Sequence, residues 1–546
     1  MSEKNKKIID TILSKRGIKS AKDRTAFLHP DYTTLADPLL LPDMEKACQR
    51  LQKAISSKQH IVVYGDYDID GLSATALLID TLTSMGGDVS AFIPSRFDDG
   101  YGLNKPALQK IAHHGAQLVI TVDCGSVSLD EVAFAKDIGL DIIITDHHTI
   151  GDELPDAIAV INPKRSDHHY PFSDFAGVGV AFQLVRALQL QMGGLALGQE
   201  KWLLDLVALG TVCDIVSLTG ENRILASWGL EVMKRTRRPG LKALMAVAGI
   251  EPKQLTARSL GFGLGPRLNA SGRLETAQLS LDLLTAKDNE TAFELAKRLN
   301  ELNTARRREQ HLIFEEAHKQ AEHYTNDTVL VVSHKDWNHG VIGIVASKLV
   351  EKYKKPTFIL QELGDEAKGS ARSFGDFSVG DAIRASKQHI IKGGGHHAAA
   401  GVTLLTEKIN DFRRSVNAYY HTLALKNQDR FLTPQAEVTL DTFENINEAL
   451  LDALAALEPY GNDNPQPNFY FPELTVMDVR LMGDKKQHIK LTFKDKKGGS
   501  LQAIAFSAPD HFFVNSGDTI SVWMTLELNE WRGSRTVEGR LVEMKE

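Results

Sequence analysis

The sequence predicts an α/β protein in three parts: an open parallel sheet, a second α/β domain reached through one long helix, and a small closing β-barrel. Three observations predict it. Between about 60 and 230, short β-branched runs alternate with longer helical patterns, as in strands buried on both faces of a parallel sheet. The stretch 288–324 keeps a helical pattern without a single proline or glycine. In the last part of the chain, helical periodicity gives way to five strand-like runs separated by turn residues.

Taken in order, residues 1–55 read as amphipathic helices with a loop at His29-Pro30-Asp31. The runs HIVVYGD, VSAFIPS, QLVITVD, LDIIITD and IAVINP follow as near-continuously apolar strands. Between the first two, LSATALLIDTLTSMG reads as a helix that stops at Gly86-Gly87, where glycine suits a C-cap. The long helix opens at Asp288-Asn289, a plausible N-cap pair. At 1.5 Å per residue it spans on the order of 50 Å. Its apolar stripe (Leu295, Leu299, Leu302, Ala305) thins at Arg306-Arg307-Arg308, which suits a bridge between domains better than a core helix. Strands TVLVVS and TFILQE around the helix GIVASKLVEKY begin the second α/β domain. Strands FPELTVMDVRLM, HIKLTFKD, LQAIAFS, TISVWMTLELNEW and RTVEGRLVEM suggest a barrel of the OB type. The expected divisions are 1–55, 56–285, 286–326 (the bridge), 327–425 and 426–546.

Bulk properties narrow the function. With 546 residues, 42% hydrophobic and 24% charged, the chain has globular composition and length for several domains. No run approaches the roughly 18 apolar residues of a membrane span. The opening MSEKNKKIIDTILSKRG is charged throughout and reads as no secretory signal. Three cysteines, Cys48, Cys124 and Cys213, make neither a disulfide framework nor a CxxC zinc site and fit a reducing cytoplasm. A net charge of −7 gives no general attraction to nucleic acid, so any such binding must come from local basic patches.

The chemistry lies in four acidic clusters, each at the end of an apolar run: Asp66, Asp68 and Asp70 before Gly71; Asp123 before Cys124; Asp146-His147-His148; and Asp214 after Cys213. In an open parallel sheet, ligands collect beyond the carboxyl ends of the strands, so the fold gathers residues far apart in sequence. Carboxylates crowded into one small volume repel, and divalent cations relieve that repulsion. Oxygen donors with a few imidazoles suit Mn²⁺ or Mg²⁺, and two such ions promote phosphoryl displacement by water. Singly, each residue has an ordinary reading: Asp123 and Asp146 as caps, His147 and His148 as structural histidines, Asp214 as a surface or capping group. The Asp66–Gly71 spacing imitates an EF-hand loop, but Leu77 stands where that loop needs glutamate, and a strand precedes it. Four clusters in matching topological positions favour the metal reading.

The ordered set GDYDIDG, TVDCG, DHH and CD resembles the DHH phosphoesterase superfamily, and more narrowly the RecJ single-strand-specific exonucleases. The likeness covers nearly the whole chain. It takes in RGIKSAKDRTAFLHPDYTTLADPLLLPDMEKA, IPSRFDDGYGL, GPRLNASGRL, GVIGIVASKL and GGGHHAAAG. It implies a DHH domain, a DHHA1 substrate-binding domain and an OB-fold. It further implies that Asp68 and Asp70 each favour one of two Mn²⁺ (or Mg²⁺) ions, that Asp123 bridges them, and that His147 and Asp214 complete the second site. Asp66 would add to the first, and His148 would aid phosphate binding or the leaving group.

For the substrate, Ser370, Arg372 and Ser373 offer donors near a turn, and Gly393-Gly394-Gly395 beside His396 lets backbone approach a phosphate. A glycine run is also what a simple flexible turn looks like; the resemblance favours the phosphate role. It also suggests that Arg96, Arg267 and Arg273 contact the 5′ phosphate and the strand backbone. Trp337-Asn338-His339-Gly340 departs from the family's Trp-His-x-Gly, so no role passes to that histidine. Phe469, Phe471, Trp523 and Trp531 are candidate stacking surfaces or, equally, barrel core. Arg306-Arg307-Arg308 is either the wall of a strand channel or a solvated helix face. The implied activity is 5′→3′ digestion of single-stranded DNA in repair and recombination, with single-strand-binding protein and a RecQ-type helicase as partners. The rivals are a DHH phosphodiesterase of short oligonucleotides, cyclic dinucleotides or pyrophosphate, and a non-enzymatic replication factor. Relatives of the first kind are shorter, and those of the second lose the carboxylates retained here.

Overall fold

A computed structural model of the chain describes residues 3–96, 102–423, 425, 431–531 and 534–545, with backbone alone at Trp531 and Ser534. It forms two compact units, Met1–Gly265 with Pro434–Glu546, and Pro266–Thr433.

In the first unit, α1 (Glu3–Lys15), α2 (Ala21–Leu28) and α3 (Met44–Ser56) precede a five-stranded sheet of β1 (His60–Gly65), β2 (Asp88–Phe92), β3 (Leu118–Val122), β4 (Asp141–Thr145) and β5 (Ala159–Ile161). All pairings are parallel and the order is β2-β1-β3-β4-β5. β1, β3 and β4 are buried almost end to end, which accounts for their unbroken apolar sequence. The chain leaves β1 toward β2 on one side and returns to β3 on the other. This reversal opens a crevice at the carboxyl ends of β1 and β3.

Seven helices complete this part: α4 (Ile69–Ser84), α5 (Lys105–His113), α6 (Leu129–Asp137), α7 (Gly177–Met192), α8 (Leu204–Cys213), α9 (Gly220–Met233) and α10 (Pro239–Ala248). α4 and α8 are apolar nearly all round and are buried accordingly. A π-helical turn, Ser259–Leu264, follows α10.

The second unit holds α11 (Gly265–Leu274), α12 (Gln278–Thr285) and the 34-residue α13 (Asn289–Glu322), whose Thr291 N–H donates to the Asp288 carboxylate at 2.8 Å. β6 (Leu330–His334), α14 (His339–Tyr353), β7 (Thr357–Leu363), β8 (Glu366–Arg372), α15 (Val379–Ala385), β9 (Lys392–Gly395), β10 (Ala399–Leu405) and α16 (Ile409–Thr422) follow. The sheet is mixed, in the order β6-β7-β8-β10-β9, with only β6 and β7 parallel. The arginine run on α13 divides. Arg306 is buried, its guanidinium donating to Asn303 Oδ1 and Gln310 Oε1, while Arg307 and Arg308 are exposed. A helix turns 100° per residue, so three consecutive arginines cannot all lie on one face.

The C-terminal part has β11 (Val438–Thr439), α17 (Glu448–Ala455), β12 (Phe469–Met482), β13 (His488–Lys494), β14 (Ser500–Ala505), β15 (Thr519–Trp531) and β16 (Ser534–Lys545). The order β12-β13-β14-β16-β15 closes through β12–β15, a five-stranded barrel. Phe469 and Phe471 are wholly buried in its core, so the stacking role entertained for them is wrong. They lie two residues apart on the inward face, as strand alternation requires. Trp523 is partly exposed and packs on Tyr470, ring centres 4.4 Å apart, while the Trp531 side chain lies outside the described residues.

Within the first unit, Arg223 of α9 ties the segment after α17 to the parallel-sheet part. Its buried guanidinium donates to the carbonyls of Phe27, Ala456, Leu457 and Glu458 and sits over the Phe27 ring. Among the described residues no helix is long and apolar enough to cross a membrane.

Candidate metal centre

Each acidic motif ends at the same crevice because each follows a strand or helix that stops there. Asp66 is the first residue beyond β1 and is buried. Asp68 caps α4, one carboxylate oxygen accepting from the N–H groups of Asp70 and Gly71 at 2.9 and 3.2 Å. Asp70, in the first turn of α4, accepts from Gly177 N–H at 2.5 Å and Val178 N–H at 2.8 Å, one with each oxygen. The N-terminus of α7 thus holds a buried carboxylate with its free N–H groups and its positive dipole end. Asp123 follows β3 with φ of 62°, in the left-handed region that aspartate tolerates. Asp214 caps the C-terminus of α8.

The seven side chains nominated from sequence meet. Asp66, Asp68 and Asp123 each bring a ligand atom within 4.8 Å of the others, as do Asp70, His147 and Asp214, and Asp123, His147 and His148. His147 Nε2 lies 3.0 Å from Asp123 Oδ1, 3.6 Å from Asp214 Oδ2 and 3.8 Å from Asp70 Oδ2. Asp146 has a supporting place. Its Oδ1 accepts from the backbone N–H of His147 and His148 and pairs with His148 Nδ1 at 2.8 Å, and its Oδ2 accepts from Ser126 N–H.

The electrostatics are those of a site short of positive charge. Burial, then the Asp68 charge, pushes Asp66 up to about 8 and Asp214 to about 7. Asp70 and Asp123 are raised well above the usual carboxylate range, first by burial and then by neighbouring aspartates. Burial drives His147 down to about 3, aided by the His148 charge. Asp146 goes the other way: burial would raise it, but the bonds from His148 and Ser126 outweigh burial and hold it below the ordinary value.

Comparisons with known proteins agree with this geometry. Residues 60–211 match the DHH family N-terminal domain, 326–422 the DHHA1 domain and 439–543 the RecJ OB domain. The chain is 36% identical over 562 residues to the single-stranded-DNA-specific exonuclease RecJ of Dickeya dadantii, covering 97% of this chain and 94% of that one. The chain belongs to the RecJ family. It is also 37% identical to the RecJ of Bacillus subtilis, covering 97% of this chain but 66% of that longer protein. Crystal structures of Thermus thermophilus RecJ superpose with TM-scores of 0.82 (in complex with Mn²⁺, 29% identity) and 0.77 (in complex with Mg²⁺, 27% identity). Each covers 98% of this chain, and 75% and 74% of the respective Thermus chain.

The residues present fit a pair of divalent cations. Asp66 Oδ1 is buried with no hydrogen-bond partner among the described residues, a costly arrangement unless a cation stands there. The donors are carboxylates and imidazoles. Burial raises the thiols of Cys124 and Cys213, and among the described residues neither belongs to the groups of converging ligand atoms.

In this RecJ-family chain, sequence reasoning overlooked the small residues that let the cluster close. A Cβ on Gly177 would lie 2.7 Å from Asp123 Cβ, and one on Gly210 would lie 2.8 Å from Asp70 Oδ1. Asn162, fully buried, donates to Ser126 Oγ and His148 O and so braces the loops carrying both. None of these carries a local signal, since their neighbours come from other parts of the chain.

The nominated substrate residues are placed as follows. Arg96 lies 4.0 Å from the centre of the Tyr67 ring, and Tyr67 stands between Asp66 and Asp68. In the second unit, Ser370 of β8 pairs with Gly401 of β10, which pairs with Gly394 of β9, in one row across the sheet. Arg372 and Gly395 occupy neighbouring registers opposite Ala399 and Ala400, and the His396 side chain is exposed nearby. Gly395 has φ of 150°, and a Cβ there would strike Ala400 Cα at 2.4 Å, so the position requires glycine. Ser373 Oγ donates to Phe377 O and shapes its own turn. Arg267 Nε donates to Asn300 Oδ1, and Arg273 donates to Gly340 O. Asn338, at the departure from the family motif, caps α14 by accepting from Gly340 N–H at 2.8 Å.

Proposed function

We propose that this chain is a metal-dependent 5′→3′ exonuclease of single-stranded DNA, acting in DNA repair and recombination. The observation that carries the proposal is the meeting of Asp66, Asp68, Asp70, Asp123, Asp214, His147 and His148 at one crevice. Membership of the RecJ family over nearly the full chain names the substrate.

In this reading Asp66, Asp68 and Asp123 hold one Mn²⁺ or Mg²⁺, and Asp70, His147 and Asp214 the other, with Asp123 within reach of both groups. Two divalent ions held there would supply the positive charge that phosphodiester hydrolysis by water calls for. α7 keeps Asp70 in place through two backbone N–H groups. Asp146 holds the His148 ring by Nδ1, orienting it toward the phosphate or the leaving oxygen. Residues 56–285 form the catalytic domain, 286–326 the bridging helix, 327–425 the substrate-binding domain and 426–546 a nucleic-acid-binding OB-fold. Ser370, Arg372, Ser373, Gly394, Gly395 and His396 bind phosphate, with Arg96, Arg267 and Arg273 contacting the 5′ end and strand backbone. A cytoplasmic location, and partnership with single-strand-binding protein and a RecQ-type helicase, follow from the same family reading.

The test is purified protein with Mn²⁺ and, separately, 5′-phosphorylated linear single strands, single-stranded circles, duplexes and cyclic dinucleotides. Linear single strands should vanish from the 5′ end, with chelation and Asp123→Ala each abolishing the loss. Degradation of circles, or of cyclic dinucleotides in preference to strands, overturns the proposal.

A further inference from the structure

Several exposed apolar side chains belong to segments attached to the acidic cluster, and metal binding explains none of them. Phe262 is 78% exposed. It lies between Gly261 and Gly263 on the π-helical turn Ser259–Leu264. That turn is fastened to the cluster. Cys213 Sγ donates weakly to Leu260 O at 3.8 Å, and a Cβ on Gly265 would meet Cys213 Sγ at 2.8 Å and Ile69 Cδ1 at 3.2 Å. Cys213 and Ile69 directly precede Asp214 and Asp70. The Arg258 guanidinium lies 5.5 Å from the centre of the Phe262 ring, within cation–π range. Ile215, directly after Asp214, is 71% exposed at φ of 62°, a conformation costly for a β-branched residue. Val127, four residues beyond Asp123, is also exposed.

An exposed phenyl ring on a π-helical turn and an exposed isoleucine in a strained conformation both cost stability. Such departures gather where a ligand is met. The cluster beside them suits phosphate chemistry, and what lies next to each phosphate of a single strand is a sugar and an unpaired base. A base offers a flat π-face whatever its identity, so an aromatic ring takes every nucleotide of a strand alike. A base inside a duplex has both faces covered and cannot stack on a protein ring.

We infer that Phe262 is a base-stacking residue for the strand being cut. An unpaired base near the scissile phosphate packs on its ring, and Ile215 and Val127 add apolar contact around the same cluster. The inference rests on the exonuclease reading and adds a source of preference for unpaired bases to it.

The experiment measures binding, so it does not depend on cleavage. Fluorescence anisotropy with metal chelated follows a 5′-phosphorylated oligothymidylate, and the same strand with its first three nucleosides abasic, on full-length wild type, Phe262→Ala and Phe262→Trp. Alanine should weaken binding of the normal strand by about tenfold, within the range stacking supplies. Tryptophan should restore it, and the abasic strand should bind wild type and alanine variant alike. An equal loss on both strands means a structural role, and no loss on either means no contact. A change in oligomeric state without a change in strand binding assigns the ring to a protein interface. Each of these three results overturns the inference. If wild type binds strands in this base-dependent way but cleaves none with Mn²⁺, the exonuclease reading fails while the stacking assignment stands.

Discussion

Replacing Asp123 with asparagine should make the metal-free protein more stable and the metal-loaded protein relatively less so. Asparagine is the right probe, because it keeps the shape of aspartate and, like it, tolerates the left-handed backbone at φ of 62°. Asp123 brings a ligand atom within 4.8 Å of those of Asp66 and Asp68. At that separation and an effective dielectric of 20, each like-charged pair costs about 3.5 kcal/mol. Proton uptake by the crowded carboxyls and the opposing charge of His148 reduce this, leaving a net relief of about 2–3 kcal/mol. For a unit of roughly 380 residues the unfolding entropy is about 0.8 kcal/mol/K, so the variant's melting temperature in chelator should rise by about 3 °C. Saturating Mn²⁺ reverses the order. At 100 times Kd each bound ion adds about 2.7 kcal/mol to wild type, so two ions raise its melting temperature by roughly 7 °C. The variant should gain half of that or less. The assay is differential scanning fluorimetry with and without Mn²⁺. A variant that melts well below wild type in chelator refutes the repulsion argument, and one that gains the full Mn²⁺ shift removes Asp123 from the ligands.

Three further outcomes are expected. Gly177→Ala pushes a methyl group against Asp123, 2.7 Å from its Cβ, so activity should fall at least tenfold with a stability loss of about 1–3 kcal/mol, read by urea unfolding and strand-degradation rates. Arg223→Met removes the guanidinium donor from the carbonyls of Phe27, Ala456, Leu457 and Glu458, of which Phe27 and Leu457 are buried residues, and should cost about 2–4 kcal/mol, with the barrel unfolding earlier than the parallel-sheet domain in urea monitored by hydrogen exchange. Burial raises the Asp43 carboxyl, but the hydrogen bonds from Lys46 and Arg165 outweigh it and leave its pKa depressed. A depressed acid contributes stability that is present above its unfolded value and lost as pH falls through its folded value, so Asp43→Asn should lose stability at pH 7, with the difference from wild type shrinking as pH falls below the ordinary carboxylate value. Equal stability differences at pH 7 and pH 3 would contradict that sign.

Local features of the chain were enough to read most of the architecture. Unbroken apolar runs marked β1, β3 and β4 because strands covered on both faces need no polar side. Asp288 could be read as a cap because a cap depends only on the next few residues. The acidic motifs were legible because each stands at the end of its element, and a parallel sheet sends those ends to one edge.

Other assignments needed the folded chain, since they depend on register and on neighbours distant in sequence. That Asp66, Asp68 and Asp123 bring ligand atoms together, as do Asp70, His147 and Asp214, depends on the fold, in which α7 holds Asp70 by its N-terminal N–H groups from more than a hundred residues away. Gly177 and Gly210 matter only because Asp123 and Asp70 lie against them. In the barrel, closure of β12 on β15 turns Phe469 and Phe471 inward, whereas Phe506, just beyond β14, stays exposed under Arg540 at 4.4 Å from its ring centre. Sequence alone specified which residues could do the chemistry. Tertiary structure decided which of them meet, because a side chain's direction is a local property whereas what it points at depends on the whole path of the chain.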